Sequence, residues 1–554
     1  MLACVEEERF IREKLAKNRW PINAIKYCLE TAGATLETID KIAVGWNCNK
    51  YPGYMADFFA EQEALYPKKG VKFRNNEADI LRKYSPDNYF ANLNTALQSA
   101  RLGVVDHLEY YDHHECHAAA SFYHSGFDEA LVFIMDGSGE DEATTVWLAK
   151  GKKLEKLKVF KLPHSLGRAY SCITEYLGFR AYTDEGKVMG LAPYGRLDQE
   201  LHNKMKKLLS IKDNGNYEVN PDLIYYGKHS YNPRFTDDLV ELLGPPRRPL
   251  KRNEEISDHY KNIAFSIQHL LEQSVSRLVL KYIQETGISK VCIGGGVAMN
   301  CKMNGIISGM KEVDDLFVHP ASHDGGANIG AAMLSLQRHV PGIAFEKLPH
   351  AYFGPSYSDE YIKSVLSYSK LKWQKLDNPA PMIARKLAEG KIVALFQGKM
   401  EMGARALGNR SILANPLLED TKGVLNDHVK HRENWRPFCP SILEEYGKDF
   451  FENIVHPWYM LVATKVREEK AKLIPSAVHV DGTARPQFVS RKTNPYFWEI
   501  IEEFRKITYV PVIINTSFNI MGEPIINTPQ EAIRCFYSTG LDVLVLEHYI
   551  LTKD

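Results

Sequence analysis

The run Asp112-His113-His114-Glu115-Cys116-His117 spaces His113 and His117 at i and i+4, which on a helix puts two imidazoles on one face, within reach of a single cation. Two carboxylates could complete such a site. Asp136 ends the apolar run Leu131-Val132-Phe133-Ile134-Met135, and Asp324 sits in Ser322-His323-Asp324-Gly325-Gly326. Two imidazoles with two carboxylates suit iron, zinc or manganese, and ligand type alone does not choose among them. The plainer alternative is a polar helix start with Asp112 as its cap.

Glycine clusters form a second constellation. Gly294-Gly295-Gly296-Val297-Ala298-Met299-Asn300 follows a strand-like run and opens a helix-like one, so successive backbone N–H groups can approach a phosphate or ribose unobstructed. Asp136-Gly137-Ser138-Gly139-Glu140 and Asp324-Gly325-Gly326-Ala327 repeat the style of strand, acid, then glycine. Three such turns in one half of a chain point to nucleotide binding. Neither G-x-x-x-x-G-K-[ST] nor G-x-G-x-x-G is present, so a P-loop and a dinucleotide fold are unsupported.

The third constellation is cationic. Phe396 to Ser411 carries Lys399, Arg405 and Arg410 among glycines, Lys430 to Phe438 adds Arg432 and Arg436, and Asp481-Gly482-Thr483-Ala484-Arg485 adds another. These cations are interleaved with Gly, Pro, Phe and Trp more than with other charges, which favours a concave anion site over a solvated charged face; arginine forks match phosphate oxygens bidentately. Val510 to Ile514 reads as a strand that delivers Asn515, Thr516, Ser517 and Asn519 to the same crevice. No G-x-S-x-G, H-E-x-x-H or Cys/His pairing argues for hydrolase chemistry.

These groups need α/β layers to hold them. Apolar runs at Ala130–Met135, Val291–Ile293, Ile392–Phe396 and Val510–Ile514 read as buried strands, and shorter strands are expected over 39–46 and 104–111. A helix is expected from Ile22 through Leu29 to a stop at Gly33. At 554 residues the chain suggests two to four domains. The stretch Leu348 to Pro355 ends one helix near Arg338 and precedes another near Ser358, which sets domains of 1–350 and 351–554. The region from about 160 to 260, with Tyr217, Tyr225, Tyr226 and Tyr231 among polar turns, reads as a helical insertion or lid.

Sixty-nine basic residues balance sixty-nine acidic ones, which disfavours a nucleic-acid-coating role or charge-driven binding to anionic lipid. No apolar run approaches ~18 residues, so no membrane span is expected. The first residues do not resemble a secretory signal, and nine scattered cysteines read as reduced thiols. A cytoplasmic protein is the expectation.

Taken in order, Val5 to Phe10, His113 to His117, Glu185 to Ala192, Gly294 to Asn300, Gly403 to Arg410, Arg436-Pro437-Phe438, Asp481 to Arg485 and Asn515 to Asn519 resemble the nodulation and antibiotic-biosynthesis O-carbamoyltransferases, including the tobramycin and cephem enzymes. The resemblance implies an α/β protein with a Kae1-like, actin/sugar-kinase-type nucleotide-binding domain followed by a YrdC-like domain. It implies that the second domain makes carbamoyl-adenylate from carbamoyl phosphate and ATP. The first would then transfer the carbamoyl group to a hydroxyl of a small molecule or sugar beside a bound metal, typically Fe(II), with Mg(II) accompanying ATP. By motif, His113, His117, Asp136 and Asp324 correspond to metal ligands, and Gly295, Gly296, Asn300 and Gly326 to nucleotide neighbours. Arg405, Lys430, Arg436, Arg485 and Ser517 correspond to the carbamoyl-phosphate and ATP site. A homodimer is compatible with all of this.

Three other readings explain less. A sugar or small-molecule kinase of the same superfamily would leave Arg405 to Arg485 without a use, as would a non-haem iron oxygenase. An ATP-binding scaffold would explain neither cations nor histidines. The chain departs from the family at its start, where the usual opening strand and Gly-His-Asp-type loop are missing before Val5. Leu2 to Val5 then reads as the second strand of a hairpin, and the expectation is a true start upstream or impaired transfer.

Overall fold

The computed structural model describes residues 1–65, 70–225, 234–248, 255–453 and 455–553, with backbone only over 70–76. They divide into two compact units: Ala34–Leu348, and Met1–Gly33 together with Pro349–Asp554. The division after Leu348 falls beside the expected boundary, but the first unit does not begin at residue 1 as the sequence suggested. Polar anchoring explains the difference. Cys4 N–H donates to the carbonyl of Phe353 at 3.2 Å, and Tyr27 Oη donates to the same carbonyl at 3.1 Å. Leu2 to Val5 forms no strand, whereas Ile22–Ala32 is the expected helix, stopped by Gly33 at φ 63°.

In the 34–348 unit a five-stranded sheet contains β1 (Glu129–Gly139), β2 (Glu142–Lys150), β3 (Lys153–Lys161), β4 (Lys290–Gly294) and β5 (Asp315–Val318), ordered β3-β2-β1-β4-β5. The β1–β2 and β2–β3 pairs are antiparallel, and β1–β4 and β4–β5 are parallel. Ala130 to Met135 are all fully buried because helices cover both faces. Helix α1 (His113–Tyr123) lies where a methyl at Gly294 would meet Ser121 Oγ. On the opposite face Phe133 approaches Tyr282 of a helix spanning Asp258–Thr286, with ring centroids 6.4 Å apart. Each large apolar side chain buried here contributes roughly 1.5–3 kcal/mol relative to exposure.

Strands β2 and β3 were not anticipated. The signal was present: β3 carries Lys153, Lys156, Lys158 and Lys161, a lysine-rich sheet edge of the kind that discourages further pairing. The short strands expected over 39–46 and 104–111 shrink to Ala43–Val44 and Glu109–Tyr110, paired in parallel. The 160–260 region is not a detached lid. Its helix α2 (Leu166–Tyr176) is largely buried. Its hairpin of Leu209–Ile211 and Tyr217–Val219 docks through Tyr217, which stacks on Phe160 at 4.5 Å and donates from Oη to Thr144 Oγ1 at 2.8 Å. Tyr225 is exposed, and Tyr226 and Tyr231 lie outside the described residues.

The other unit is built on an eight-stranded mixed sheet. Its strands are β6 (Gln374–Lys375), β7 (Val393–Phe396), β8 (Arg410–Ala414), β9 (Cys439–Leu443), β10 (Gln487–Val489), β11 (Val512–Ser517), β12 (Val543–Leu546) and β13 (Tyr549–Thr552). Their order is β6-β13-β12-β7-β8-β11-β9-β10. Successive residues alternate between two apolar layers. Ala394, Phe396, Ile412 and Ile514 enter one, and Val393, Leu395, Leu413 and Ile513 the other. Both sheets and their covering helices make this a mixed α/β protein. Among the described residues no helix is long and apolar enough to cross a membrane.

Candidate metal and anion sites

Helix α1 and strand β1 bring His113, His117 and Asp136 together, and Asp324 joins them from the residue preceding helix α3 (Gly325–His339). Their candidate ligand atoms all lie within 4.8 Å of one another. Asp136 Oδ2 is 3.5 Å from both His113 Nε2 and His117 Nε2, and Asp324 Oδ1 is 3.9 Å from His113 Nε2. Metal–ligand bonds of about 2.0–2.2 Å ask only small inward shifts of such a set. Two glycines set the approach. A methyl at Gly330 of α3 would fall 1.7 Å from the carbonyl oxygen of Cys116 in α1, and one at Gly326 would fall 2.0 Å from that of Ala321. Gly326 is therefore a close-packing residue at the base of the Asp324 turn.

The imidazoles are held from behind. His113 Nδ1 donates to the carbonyl of Gly45 at 2.8 Å, since a carbonyl can only accept, and Trp46 packs against the same ring at 5.0 Å. Asp112 does not cap the helix with its side chain. It accepts instead from Asn47 Nδ2 at 2.6 Å and Lys50 Nζ at 2.8 Å. Buried Glu140, at φ 47°, accepts from Asn47 N–H at 2.7 Å and His113 N–H at 3.4 Å. Sequence reasoning did not single out Gly45, Asn47 or Lys50; the hint was a polar turn closing the strand expected over 39–46.

Electrostatics at the cluster favour a cation. Burial resists the charge on Asp136, but the two imidazoles outweigh it and hold the carboxyl well below the usual range. Burial likewise opposes charge on His113, yet Asp136 and Asp324 push it up to about 10. His117, also buried and beside that charge, is lowered. One negative site thus competes for protons on two rings, and a divalent ion would serve all three groups.

The glycine turn adjoins this cluster. Gly295 has φ 83° and a methyl there would strike the Met135 carbonyl oxygen at 2.2 Å, so β4 can turn away from β1 only with glycine. Gly296 lies against Asp136, whose Oδ1 would be 3.1 Å from an added methyl. Asn300 is differently engaged. Its side chain caps the helix Cys301–Ser308 by accepting from Met303 N–H at 3.0 Å, and it exchanges hydrogen bonds with Gln268 at 3.0 and 2.9 Å.

In the other unit Lys430 is buried and donates to the Ser517 carbonyl, to the Asn519 carbonyl at 3.0 Å and to Asn519 Oδ1 at 2.9 Å. Burial, with Arg432 and Arg436 nearby, lowers its pKa well below the ordinary lysine value. Arg485 forks onto Cys439 Sγ, with Nε at 3.2 Å and Nη2 at 2.9 Å. Arg432 is also lowered, by burial, then Arg436, and further on Arg485. Lys430, Arg432, Arg436 and Arg485 therefore form one cationic neighbourhood with Ser517 beside it. Arg405 sits on an adjoining loop organised by Glu401, whose Oε1 accepts from the N–H groups of Leu407, Asn409 and Arg410 at 2.7, 2.8 and 3.2 Å. Arg410, read as part of the anion site, points inward instead. Fully buried, it donates to the carbonyls of Gln397, Asn409 and Pro355 at 2.7, 3.0 and 2.9 Å and lies 3.6 Å over the Phe396 ring.

Residues 1–333 match the family described as carbamoyltransferase N-terminus, and residues 384–553 match carbamoyltransferase C-terminus. An uncharacterized protein of Synechocystis sp. is 34% identical over all of this chain and 93% of its own length. Nodulation protein NolNO of Sinorhizobium fredii is 34% identical over all of this chain and 77% of its own. Nodulation protein NolO of Bradyrhizobium diazoefficiens is 38% identical over 80% of this chain and 79% of its own. With both halves matched and relatives aligned along nearly its full length, the chain belongs to the carbamoyltransferase family and is a carbamoyltransferase enzyme.

Proposed function

We propose that carbamoyl transfer proceeds through two half-reactions in different units, with carbamoyl phosphate and ATP as substrates and a hydroxyl of a small molecule or sugar as acceptor. In the first, water cleaves the acyl phosphate to carbamate and phosphate. A carbamate oxygen then attacks the α-phosphorus of ATP and expels pyrophosphate, leaving carbamoyl-adenylate. Both steps gather negative charge on phosphate oxygens, which preorganised cations stabilise. The observation that carries the reading is the crowding of Lys430, Arg432, Arg436 and Arg485. Like charges so placed repel one another, and a multivalent anion relieves the repulsion. Ser517 lies beside them, its Oγ 3.3 Å from Lys430 Nζ, and Arg405 supplies a further cation from its loop.

In the second half-reaction the acceptor hydroxyl attacks the carbamoyl carbon and AMP leaves. The glycines at 295 and 296 would receive the adenylate phosphate beside Asp136, because Gly296 abuts that carboxylate. His113, His117, Asp136 and Asp324 would hold a divalent metal; the donor set suits Fe(II), zinc or manganese, and Fe(II) is our choice by family resemblance. Such an ion supplies Lewis acidity toward the phosphate and carbamoyl oxygens. The Gly45 carbonyl keeps the Nδ1 proton of His113 in place, so Nε2 is the nitrogen presented to the ion. Asn300 contributes by capping the following helix. A cytoplasmic setting accords with the use of ATP and with nine free cysteines.

Product analysis tests the proposal. Incubation with carbamoyl phosphate and ATP should give AMP and pyrophosphate, with labelled carbamoyl groups appearing on an acceptor from a panel of hydroxylated compounds. Release of ADP would instead indicate a kinase, and nucleotide cleavage indifferent to carbamoyl phosphate would contradict the first half-reaction.

A further inference from the structure

The segment Val5 to Phe10 stands out in the sequence but has no part in either half-reaction, and its placement gives it one. Glu6 and Arg9 grip both sides of a single residue: Gly403 N–H donates to Glu6 Oε1 at 2.7 Å, and Arg9 Nη2 donates to the Gly403 carbonyl at 2.7 Å. Arg9 and Glu6 also face each other at 3.5 Å, and the Arg9 side chain is 3% exposed. Gly403 has φ 85°, a left-handed backbone that favours glycine, and it lies two residues before Arg405. Residues Glu8–Ile11 form a short helix, and Arg12, just past its end, grips a second loop by donating to the carbonyls of Pro524 and Ile525 at 2.8 and 2.7 Å. That loop follows Asn519, a hydrogen-bond partner of Lys430. Glu7 anchors the segment by accepting from Asn23 Nδ2 at 2.6 Å and Ala24 N–H at 2.8 Å.

We infer that Glu6 and Arg9 are positioning residues for the carbamoyl-phosphate and ATP site, holding Gly403 in its turn and thereby aiming Arg405 at a phosphate oxygen. This rests on the reading of Arg405 given above. A buried, paired arginine spent on one glycine's backbone is expensive unless the turn must be rigid, and a misplacement of about 1 Å at a site of this kind can cost 10²-fold in rate. Residues that act through Arg405 should lose their effect once Arg405 is gone.

The test uses the full chain and carbamoyl-phosphate-dependent pyrophosphate release. Arg9→Met and Gly403→Ala should each lower kcat/KM for carbamoyl phosphate by about 10²-fold. In an Arg405→Ala background, neither should lower it further. Gly403→Ala leaves Glu6 and Arg9 intact but strains the turn, so it carries the test if Arg9→Met does not fold. Wild-type kcat/KM in a folded Arg9→Met or Gly403→Ala protein overturns the inference. So do losses that multiply with that of Arg405→Ala. Wild-type release in Arg405→Ala alone removes the anion-site reading itself, and the inference falls with it; a normal response to Arg405→Ala with no response to Gly403→Ala or Arg9→Met removes only the inference.

Discussion

Gly330 and Cys116 touch so closely that a single methyl at Gly330 would sit 1.7 Å from the Cys116 carbonyl oxygen. This contact brings α3 against α1 and sets Asp324 beside His113. Gly330→Ala should therefore separate the two helices, costing about 1–3 kcal/mol of stability from overpacking. It should also weaken binding of a divalent metal such as Co(II) by about 10-fold or more, on the scale of changes that disturb ligand orientation. Thermal unfolding of the metal-free protein and a Co(II) titration measure the two effects separately.

A pair of buried histidines predicts how stability depends on pH. Ala321 N–H donates to His319 Nδ1 at 3.1 Å, so in the neutral ring the proton sits on Nε2, which donates to His124 Nδ1 at 3.0 Å. Burial lowers His124 to about 4, against an ordinary 6.5. Between those values the unfolded chain binds the extra proton, so stability present above pH 6.5 is lost as pH falls toward 4. The change from His124 is on the order of 3 kcal/mol. Denaturant unfolding at pH 7, 5.5 and 4.5 should show this slope, and His124→Gln should make it shallower, leaving the part that buried His319 contributes.

How far the sequence announced this arrangement depended on how local each signal was. Ala130 to Met135 is legible because a strand covered on both faces needs an uninterrupted apolar run. His113 and His117 are legible because helical spacing is a local property. The docking of residues 1–33 onto the 349–554 unit is not, since it depends on Arg9, Arg12 and Cys4 meeting carbonyls several hundred residues away. The two arginines of Gly403 to Arg410 look alike in sequence. Arg410 faces inward because it follows a turn whose carbonyls converge on it beneath Phe396, and only the packed sheet reveals that.

That difference between Arg405 and Arg410 is itself testable. Arg410→Lys should destabilise the protein by about 1–3 kcal/mol, because one ammonium cannot satisfy all the buried carbonyls the guanidinium reaches. Pyrophosphate release at a temperature where the variant is folded should stay within a few-fold of wild type. Arg405→Ala should do the reverse, costing less stability than Arg410→Lys and losing about 10²-fold or more in carbamoyl-phosphate-dependent release.

If the two half-reactions occupy different units, single substitutions should separate them. His117→Ala and Arg436→Ala proteins are each incubated with carbon-labelled carbamoyl phosphate and ATP, quenched, and analysed for labelled nucleotide, pyrophosphate and metal content. His117→Ala should lose its metal and transfer activity yet accumulate labelled carbamoyl-adenylate with matching pyrophosphate, while Arg436→Ala should keep the metal and form about 10²-fold less adenylate. Equal loss of adenylate in both variants would mean that one site performs both half-reactions, and ADP as the nucleotide product would mean that no carbamoyl-adenylate forms.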